Sequence, residues 1–215
     1  MNNFVSVTAQ DRITVIPRSA LTSGRPRMRV THFPSIKNKQ MVACENLLHA
    51  DFCVHLEHDP KVSSYQSRPS ALKFEETGFV ARPHFAVIKN TGHCVYYDVR
   101  GALEIEQYTH QRLARIRAQF TQAGLHYEPL ALSSLQTEVH TDTLRCLYLQ
   151  SHGGCAEEAS VISNLLENHL RCKTTIRNLI QLGIPLCDIA YGVFYGQLHA
   201  DMRQRPNLDF WVESA

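Results

Sequence analysis

The sequence predicts an α/β protein in which helices flank a mixed sheet, followed by a small C-terminal domain of helices and short strands. An apolar repeat runs through Met41–His58 at helical spacing, and short extended segments separated by turn residues follow it. A second amphipathic pattern over Ile105–Gly124 then precedes one more predicted strand, Tyr127–Leu132. Helix, antiparallel strands, helix and strand is the order expected of an α/β domain built round one sheet.

The extended segments after the first helix predict a β-hairpin. Asp59-Pro60 ends the helix, because the residue before a proline disfavours helical backbone. In the loop 89–93, Asn90 and Gly92 are residue types that accept positive φ, as hairpin loops require. We therefore expect the strands on either side of this loop to pair and to bring residue 84 close to residue 98. The predicted strands are Val62–Gln66, Ala71–Phe74, Val80–Ile88 and Cys94–Arg100.

The C-terminal part reads as a separate module after a linker at Ser151–Gly154. Three helices and a β-ribbon in about 60 residues describe a winged-helix-like domain, and a plain helical cap on the first domain is the alternative. The predicted organisation is a basic arm over residues 1–33, an α/β domain over 34–150 and the C-terminal domain over 151–215. The helices are predicted at Ala156–Leu170, Lys173–Leu182 and Leu186–Tyr195, and the strands around Leu198–Met202 and Leu208–Val212.

Composition and charge indicate a soluble protein with an uneven charge distribution. The chain has 215 residues, of which 44% are apolar and 20% charged, and its net charge is +2. Residues 1–40 hold seven Lys or Arg side chains and one acid, so the remainder is mildly acidic. A basic arm of this kind is typical of a protein that contacts a phosphate backbone, with a solvated tail as the alternative.

Cysteine usage and hydropathy predict a cytoplasmic location. The seven cysteines form no Cys-x-x-Cys pair and no regular spacing, as expected of buried free thiols in a reducing compartment. No apolar run approaches 18 residues and the start of the chain carries no secretory signal pattern, so we expect no contact with a membrane.

A string of short motifs between residues 34 and 100 carries the most specific functional signal. This order of motifs resembles the TnsA family, the endonuclease subunits of heteromeric transposases, and the resemblance extends over about residues 34–150. It implies a restriction-endonuclease-like fold, Mg²⁺-dependent DNA strand cleavage, and DNA, a DDE transposase subunit and an AAA+ ATPase regulator as partners. The motifs are Lys37-Asn38-Lys39, Glu45 with His49, Asp59-Pro60, Tyr65, Arg68-Pro69, Pro83-His84-Phe85 and Asp98-Val99-Arg100.

The positions that carry the family's chemistry are changed in this chain. The resemblance implies carboxylates at 49 and 84 and a glutamate-x-lysine pair at 98 and 100, but the residues present are His49, His84, Asp98 and Arg100, with Glu45 retained. Imidazole suits transition metals whereas Mg²⁺ prefers oxygen ligands, and arginine does not act as a base. Together these changes argue against efficient Mg²⁺-dependent cleavage, and any Glu45 contribution requires a shift of about 6 Å along the predicted helix.

Two interpretations of the altered site stay open at this stage. Either the pocket is degenerate and needs no cofactor, or His49, His84 and Asp98 form a transition-metal site; an active enzyme would use Mg²⁺, Mn²⁺ or Zn²⁺. The function predicted first is a TnsA-like subunit that binds transposon-end DNA with impaired cleavage. The alternatives are a DNA-binding regulator or inhibitor domesticated from a mobile element, and an active transition-metal endonuclease. The predicted phosphate contacts are Arg25, Arg27, Arg29, Lys37, Lys39, Arg68 and, in the altered site, Arg100.

The C-terminal domain is predicted to dock proteins more than DNA. Residues 151–215 contain seven acids and five Lys or Arg, and the predicted third helix, Leu186–Tyr195, has Asp188 and no cation. A recognition helix needs cations to neutralise phosphates.

Overall fold

The computed structural model describes residues 13–21, 30–101, 110–135, 138–169 and 173–215. The chain divides into two compact units, Met1–Leu135 and Gln136–Ala215. Both units combine helices with sheets, so the predicted mixed α/β character is confirmed. The domain boundary expected after residue 150 therefore differs from the division between the units, because residues 138–150 form a helix that packs within the second unit.

The first unit holds, in chain order, the elements β1 (Ile13–Ile16), β2 (Thr31–Ser35), β3 (Gln40–Cys44), α1 (Leu47–His58), β4 (Val62–Ser67), β5 (Ala71–Phe74), β6 (Phe79–Ala81), β7 (Phe85–Lys89), β8 (Cys94–Arg100), α2 (His110–Gln122), β9 (His126–Ala131) and α3 (Leu132–Leu135). The second unit holds α4 (Glu138–Gln150), α5 (Ala156–His169), β10 (Lys173–Thr175), α6 (Ile176–Gln181), α7 (Leu186–Phe194), β11 (Leu198–Ala200) and β12 (Trp211–Ser214).

A four-stranded mixed sheet in the order β4-β7-β8-β9 forms the centre of the first unit. Strands β7 and β8 are the predicted hairpin, with Phe85 opposite Tyr97 and Ile88 opposite Cys94. Gly92 in the connecting loop has φ 82°, the conformation for which glycine was expected there. Strand β9 joins β8 in parallel, so the sheet is mixed as predicted.

The predicted helix over Met41–His58 is wrong in its first six residues. Residues 40–44 form β3, which pairs antiparallel with β2 and buries alternate residues, Val42 and Cys44. Helix α1 starts only at Leu47, because the side chain of Asn46 accepts a hydrogen bond from the backbone N–H of His49 at 2.8 Å. The apolar spacing of four residues happens to extend from β3 into α1, and this made the strand look helical in the sequence.

The predicted strand Val80–Ile88 is also wrong as a single element. Its first residues belong to β6, which pairs with β5 in a separate sheet of order β1-β5-β6, whereas β7 lies in the central sheet. Pro83 lies between them and has no N–H to donate to a strand neighbour, which explains the break. Pairing resumes at His84, whose N–H donates to the carbonyl of Tyr97 at 2.9 Å.

An aromatic core joins the two larger sheets of the first unit to α2. Phe120 of α2 is fully buried and its ring stacks on that of Tyr127 at 4.8 Å between centroids. It also meets Phe74 of β5 at 5.2 Å and Tyr96 of β8 at 5.6 Å. These contacts anchor α2 beside β8, which carries site residues. The predicted start of this helix at Ile105 lies outside the described residues, which resume at 110.

In the second unit, a three-stranded antiparallel sheet has the order β10-β12-β11. The helix predicted over Lys173–Leu182 is wrong at its start: residues 173–175 form β10, and Thr175 then caps α6 by accepting from the N–H of Asn178. Helices α4 and α5 both pack on α7.

The six cysteines among the described residues are free thiols, in agreement with the sequence analysis. Cys44 and Cys53 are buried, but Cys94, Cys146, Cys155 and Cys187 are half-buried, so the expectation of uniform burial is wrong. None of the helices among the described residues combines the length and apolar character that a membrane span requires.

Candidate functional site

Helix α1 and the β7–β8 hairpin bring four predicted site residues together. The ring centroids of His49 and His84 lie 4.6 Å apart. Nδ1 of His84 lies 3.0 Å from Oδ1 of Asp98. Arg100 donates from Nε and Nη2 to Oδ2 of Asp98 at 3.1 and 2.9 Å. We call Glu45 and these four residues the polar cluster.

The local geometry of the elements explains the convergence. Asp98 and Arg100 are two residues apart in β8, so their side chains lie on the same face of the sheet. His84 lies just before β7, and the pairing of Phe85 with Tyr97 brings it next to Asp98. His49 is in the first turn of α1, where its ring meets Phe85 edge-on at 5.4 Å.

Glu45 lies closer to the histidines than the sequence analysis predicted. It precedes the helix cap Asn46 and therefore does not stand one helical turn before His49, so the predicted 6 Å separation along a helix axis is wrong. One potential ligand atom each of Glu45, His49 and His84 lies within 4.8 Å of the others. The structure thus places Glu45 with the two histidines as a possible metal-ligand group. The sequence analysis had predicted Asp98 as the third ligand.

Asp98 instead stands behind His84 and is engaged by other side chains. Its Oδ2 accepts from Arg100 and from the hydroxyl of Tyr127 at 3.2 Å. The hydrogen bond of His84 Nδ1 is directed at the carbonyl of Val99 at 2.8 Å, so the nearby Oδ1 of Asp98 contributes negative charge more than an aligned hydrogen bond. A carbonyl oxygen accepts only from a protonated nitrogen, which leaves the lone pair of neutral His84 on Nε2.

His49 is neutral at physiological pH. Its side chain is almost fully buried, and removal from water lowers its pKa to about 4, with the adjacent His84 adding to the effect. Glu45, the Val99 carbonyl and Asp98 act in the opposite direction but do not offset the burial. An uncharged imidazole keeps a lone pair that can coordinate a metal.

Arginine side chains surround both carboxylates of the polar cluster. Glu45 Oε1 lies 3.4 Å from Nη2 of Arg18 and 3.6 Å from Nη1 of Arg68. Asp98 forms an ion pair with Arg100 in the same way. Three guanidinium groups therefore face two carboxylates, and the immediate charge is positive.

The residues present do not fit Mg²⁺. That ion demands octahedral oxygen ligands, usually one or two carboxylates with several waters, and arginines already lie against both carboxylates here. The donor set of two imidazoles and one carboxylate instead fits a transition metal such as Zn²⁺, since three such ligands are typical of catalytic zinc sites. A ligating histidine usually donates its other ring N–H to a carboxylate or a backbone carbonyl, and the Val99 carbonyl stands in that place beside Nδ1 of His84.

Arg68 is held in an unusual backbone conformation. Its φ is 48°, in the left-handed region that non-glycine residues avoid, and its N–H donates to the carbonyl of His84 at 2.6 Å. Its Nε is buried and finds no hydrogen-bond acceptor among the described residues. Arg68 therefore contacts the polar cluster through both its backbone and its side chain.

Two of the remaining predicted phosphate contacts, Lys37 and Lys39, lie elsewhere in the first unit. Lys37 donates from Nζ to the carbonyls of Leu56 and Asp59, at 2.8 and 2.5 Å, where it caps the end of α1, and burial lowers its pKa. Lys39 is exposed in the turn between β2 and β3. Three further candidates, Arg25, Arg27 and Arg29, lie outside the described residues.

Two contributors were missed by the sequence analysis. Arg18 also donates to the carbonyl of Pro83 at 3.0 Å, and burial lowers its pKa. Nothing in its local sequence distinguishes it from other basic residues of the arm. Tyr127 was predicted only as a strand residue, and its hydroxyl reaches Asp98 because β9 runs parallel to β8.

The fold and the cluster together define an α/β domain with a polar site between a helix and a hairpin. No protein-family model matches the chain, and no curated protein matches it either. The function is therefore inferred from the site itself.

Proposed function

We propose that this chain is a TnsA-like subunit of a DNA transposition machine that binds transposon-end DNA and has lost efficient metal-dependent cleavage. One observation carries the proposal: Arg100 donates twice to the Asp98 carboxylate in a hairpin site. In a nuclease of this type, the hairpin acids hold Mg²⁺ and the lysine helps to position the attacking water. Here the Arg100 guanidinium is bound to Asp98. It supplies a fixed positive charge where such a nuclease would hold an exchangeable metal ion.

The positions of the site residues support kinship with the nuclease. The resemblance requires positions 49, 84, 98 and 100 to meet between a helix and a hairpin. His49 lies against His84, His84 against Asp98, and Asp98 against Arg100, as that requires. The mixed sheet order β4-β7-β8-β9 is compatible with a restriction-endonuclease-like domain. Side chains scattered over separate surfaces would have removed this support.

The charge of the cluster supports binding without cutting. Arg18, Arg68 and Arg100 outnumber the two carboxylates, so the charge of the site favours a phosphate group over Mg²⁺. Arg68 and Arg100 remain our candidates for phosphate contacts within the first unit, and Arg18 joins them.

The second unit supports a winged-helix-like domain that docks proteins. Helices α6 and α7 are joined by the four residues 182–185, in which Gly183 has φ 87°, as in a helix-turn-helix pair. A three-stranded sheet accompanies them. Helix α7 has no Lys or Arg, and Asp188, Ile189 and Val193 are buried. We infer that this unit contacts the transposase or its ATPase regulator.

The central test compares cleavage with binding. The purified protein is incubated with supercoiled DNA and with transposon-end duplex under Mg²⁺, Mn²⁺, Zn²⁺ or Co²⁺, beside the Asp98→Ala variant. We expect duplex binding and no nicking with Mg²⁺. Mg²⁺-dependent nicking that disappears in the variant would overturn the loss of cleavage. Failure to co-purify with the transposase subunit, despite DNA binding, would favour a domesticated regulator or inhibitor.

A transition-metal endonuclease is the second candidate, favoured by the approach of Glu45, His49 and His84 to within 4.8 Å. Co²⁺ titration followed by visible absorption tests it directly. Under this candidate, His49→Gln and His84→Gln each abolish the bands, whereas His93→Gln, in the exposed hairpin loop, leaves them unchanged. Identical spectra for all four proteins would remove this candidate and leave the first intact.

A further inference from the structure

A groove of about 820 Å³ opens beside the polar cluster within the first unit. Residues 77–83, which include β6, contribute one part of its lining, and α2 contributes another. The lining also includes Asp98 and Arg100 from β8 and Tyr127 from β9, so the groove shares two residues with the cluster. Thr77 donates to Gln119 at 2.6 Å and thereby links the segment before β6 to α2.

The described lining of the groove is rich in arginine. It includes Arg82, Arg100, Arg112 and Arg115, whereas Asp98 is the one acid among the described residues that line it. Arg100 is paired with Asp98. Arg112 and Arg115 are three residues apart on α2, a spacing that puts both side chains on one helix face. Arg82, Arg112 and Arg115 therefore line the same space.

An exposed aromatic ring accompanies these cations. Phe79 lines the groove and is 36% exposed, although a residue of its size would usually be buried. Its ring lies nearly parallel to that of Phe74, with centroids 6.1 Å apart and an angle of 28°, so packing on the core fixes its orientation. Guanidinium groups beside an exposed aromatic ring are the combination by which proteins hold single-stranded nucleic acid: the cations follow the backbone and a base stacks on the ring.

We propose that this groove, which we call the arginine groove, binds a single-stranded segment of nucleic acid. Its volume is that of a site for a ligand of ordinary size, roughly 300–1,000 Å³, so it has room for a few nucleotides of one strand. Arg82, Arg112 and Arg115 bind phosphates, and Phe79 stacks on a base. The proposal rests on the proposed function, because a protein that works at the ends of a DNA element meets unpaired strands there.

The test measures binding of three labelled probes by fluorescence anisotropy: a 12-nucleotide single-stranded DNA, the same sequence as a duplex, and the same sequence as RNA. The first variant is Arg82→Gln/Arg112→Gln/Arg115→Gln. Each lost phosphate contact lowers the slope of log K against log salt by about 0.7 for a single strand, so we expect the triple variant to lose about 2 from that slope. Arg117→Gln is the matched control, since Arg117 is exposed on α2 and does not line the groove.

The second variant tests the aromatic contact. Phe79→Ala is expected to weaken single-strand binding about tenfold and to leave duplex binding unchanged, and Phe79→Tyr should restore it. Thermal melting followed by circular dichroism establishes that each variant is folded. Because Phe79 also packs on Phe74, the Arg82/Arg112/Arg115 variant keeps the proposal testable if Phe79→Ala unfolds.

The outcomes separate this proposal from the proposed function. Loss of single-strand affinity in both groove variants, with duplex binding retained, supports the arginine groove. Duplex binding by the wild type without single-strand binding overturns the groove and leaves the proposed function standing. Equal losses for duplex and single strand in the triple variant overturn the single-strand assignment. Binding of RNA alone overturns its link to DNA ends, and no binding of any probe overturns both proposals.

Discussion

Nδ1 of His84 lies 3.0 Å from Oδ1 of Asp98, and the same nitrogen is hydrogen-bonded to the Val99 carbonyl at 2.8 Å. Under the proposed kinship with a nuclease, position 84 would carry an acid that binds a cation beside position 98. An imidazole ring occupies that position, with Nδ1 at hydrogen-bonding distance from the Val99 carbonyl. The hairpin geometry is compatible with the proposed kinship, but position 84 does not supply a negative charge.

Removal of the Asp98 carboxylate is expected to destabilise the protein. In Asp98→Ala, Arg100 and Tyr127 lose a buried charged acceptor, and breaking a buried pair in this way typically costs about 3 kcal/mol. The free energy of unfolding in urea measures the change. Asp98→Asn, which keeps the shape and one acceptor oxygen, should lose less. A decrease below about 1 kcal/mol for Asp98→Ala would contradict the buried pairing, given that usual range.

His49 should make stability depend on pH in the acidic range. Its folded pKa of about 4 lies below the value of 6.5 for an exposed histidine, so the unfolded chain binds the proton more tightly. The stabilisation is complete above pH 6.5 and is lost as the pH falls towards 4. Between pH 7 and pH 4 the loss is about 3 kcal/mol, since one pKa unit corresponds to about 1.4 kcal/mol.

Urea unfolding of the wild type and of His49→Gln at both pH values isolates this contribution. Other groups titrate in both proteins, so the difference between them reports His49. Parallel pH profiles for the two proteins would show that His49 is exposed to protons in the folded state.

The sequence predicts the hairpin site better than the segment that leads into the helix. Alternation in β8 and the loop at Asn90 and Gly92 are local signals, and they correctly bring residue 84 to residue 98. The start of α1 depends on pairing between β2 and β3, a contact that helical periodicity does not register. The error placed Glu45 on a helix and hid its approach to His49 and His84. Arg18 reaches the cluster through tertiary contacts alone.

Introduction of an acid at position 84 is expected to create affinity for a hard cation. His84→Asp/Arg100→Lys places a second carboxylate beside Asp98. It also removes the Arg100 guanidinium that is hydrogen-bonded to the Asp98 carboxylate. We expect Mn²⁺ affinity to rise by at least about tenfold, because carboxylate oxygens are the preferred ligands of such ions. The loss of the free Mn²⁺ signal in electron paramagnetic resonance measures it. His93→Asp/Arg117→Lys, which makes the same exchanges at exposed positions, should leave Mn²⁺ affinity unchanged.

A methyl group at Gly154 should destabilise the second unit. A Cβ atom there would lie 2.4 Å from the backbone oxygen of Cys187 and 2.8 Å from Cβ of Tyr191, and backbone of α7 does not yield easily. We expect Gly154→Ala to cost about 2 kcal/mol or more, as overpacked sites do. Thermal unfolding measures it, beside Gly101→Ala, where an added Cβ meets no atom of the described residues within 4 Å. Equal melting temperatures for the two variants would show that α7 moves aside.

The left-handed backbone of Arg68 sets two contributions to stability against each other. An L-residue in this region gives up roughly 1 kcal/mol that glycine would recover. The guanidinium of the same residue lies 3.6 Å from the Glu45 carboxylate. Arg68→Gly would therefore relieve the backbone cost at φ 48° and leave Arg18 as the remaining arginine beside Glu45 among the described residues.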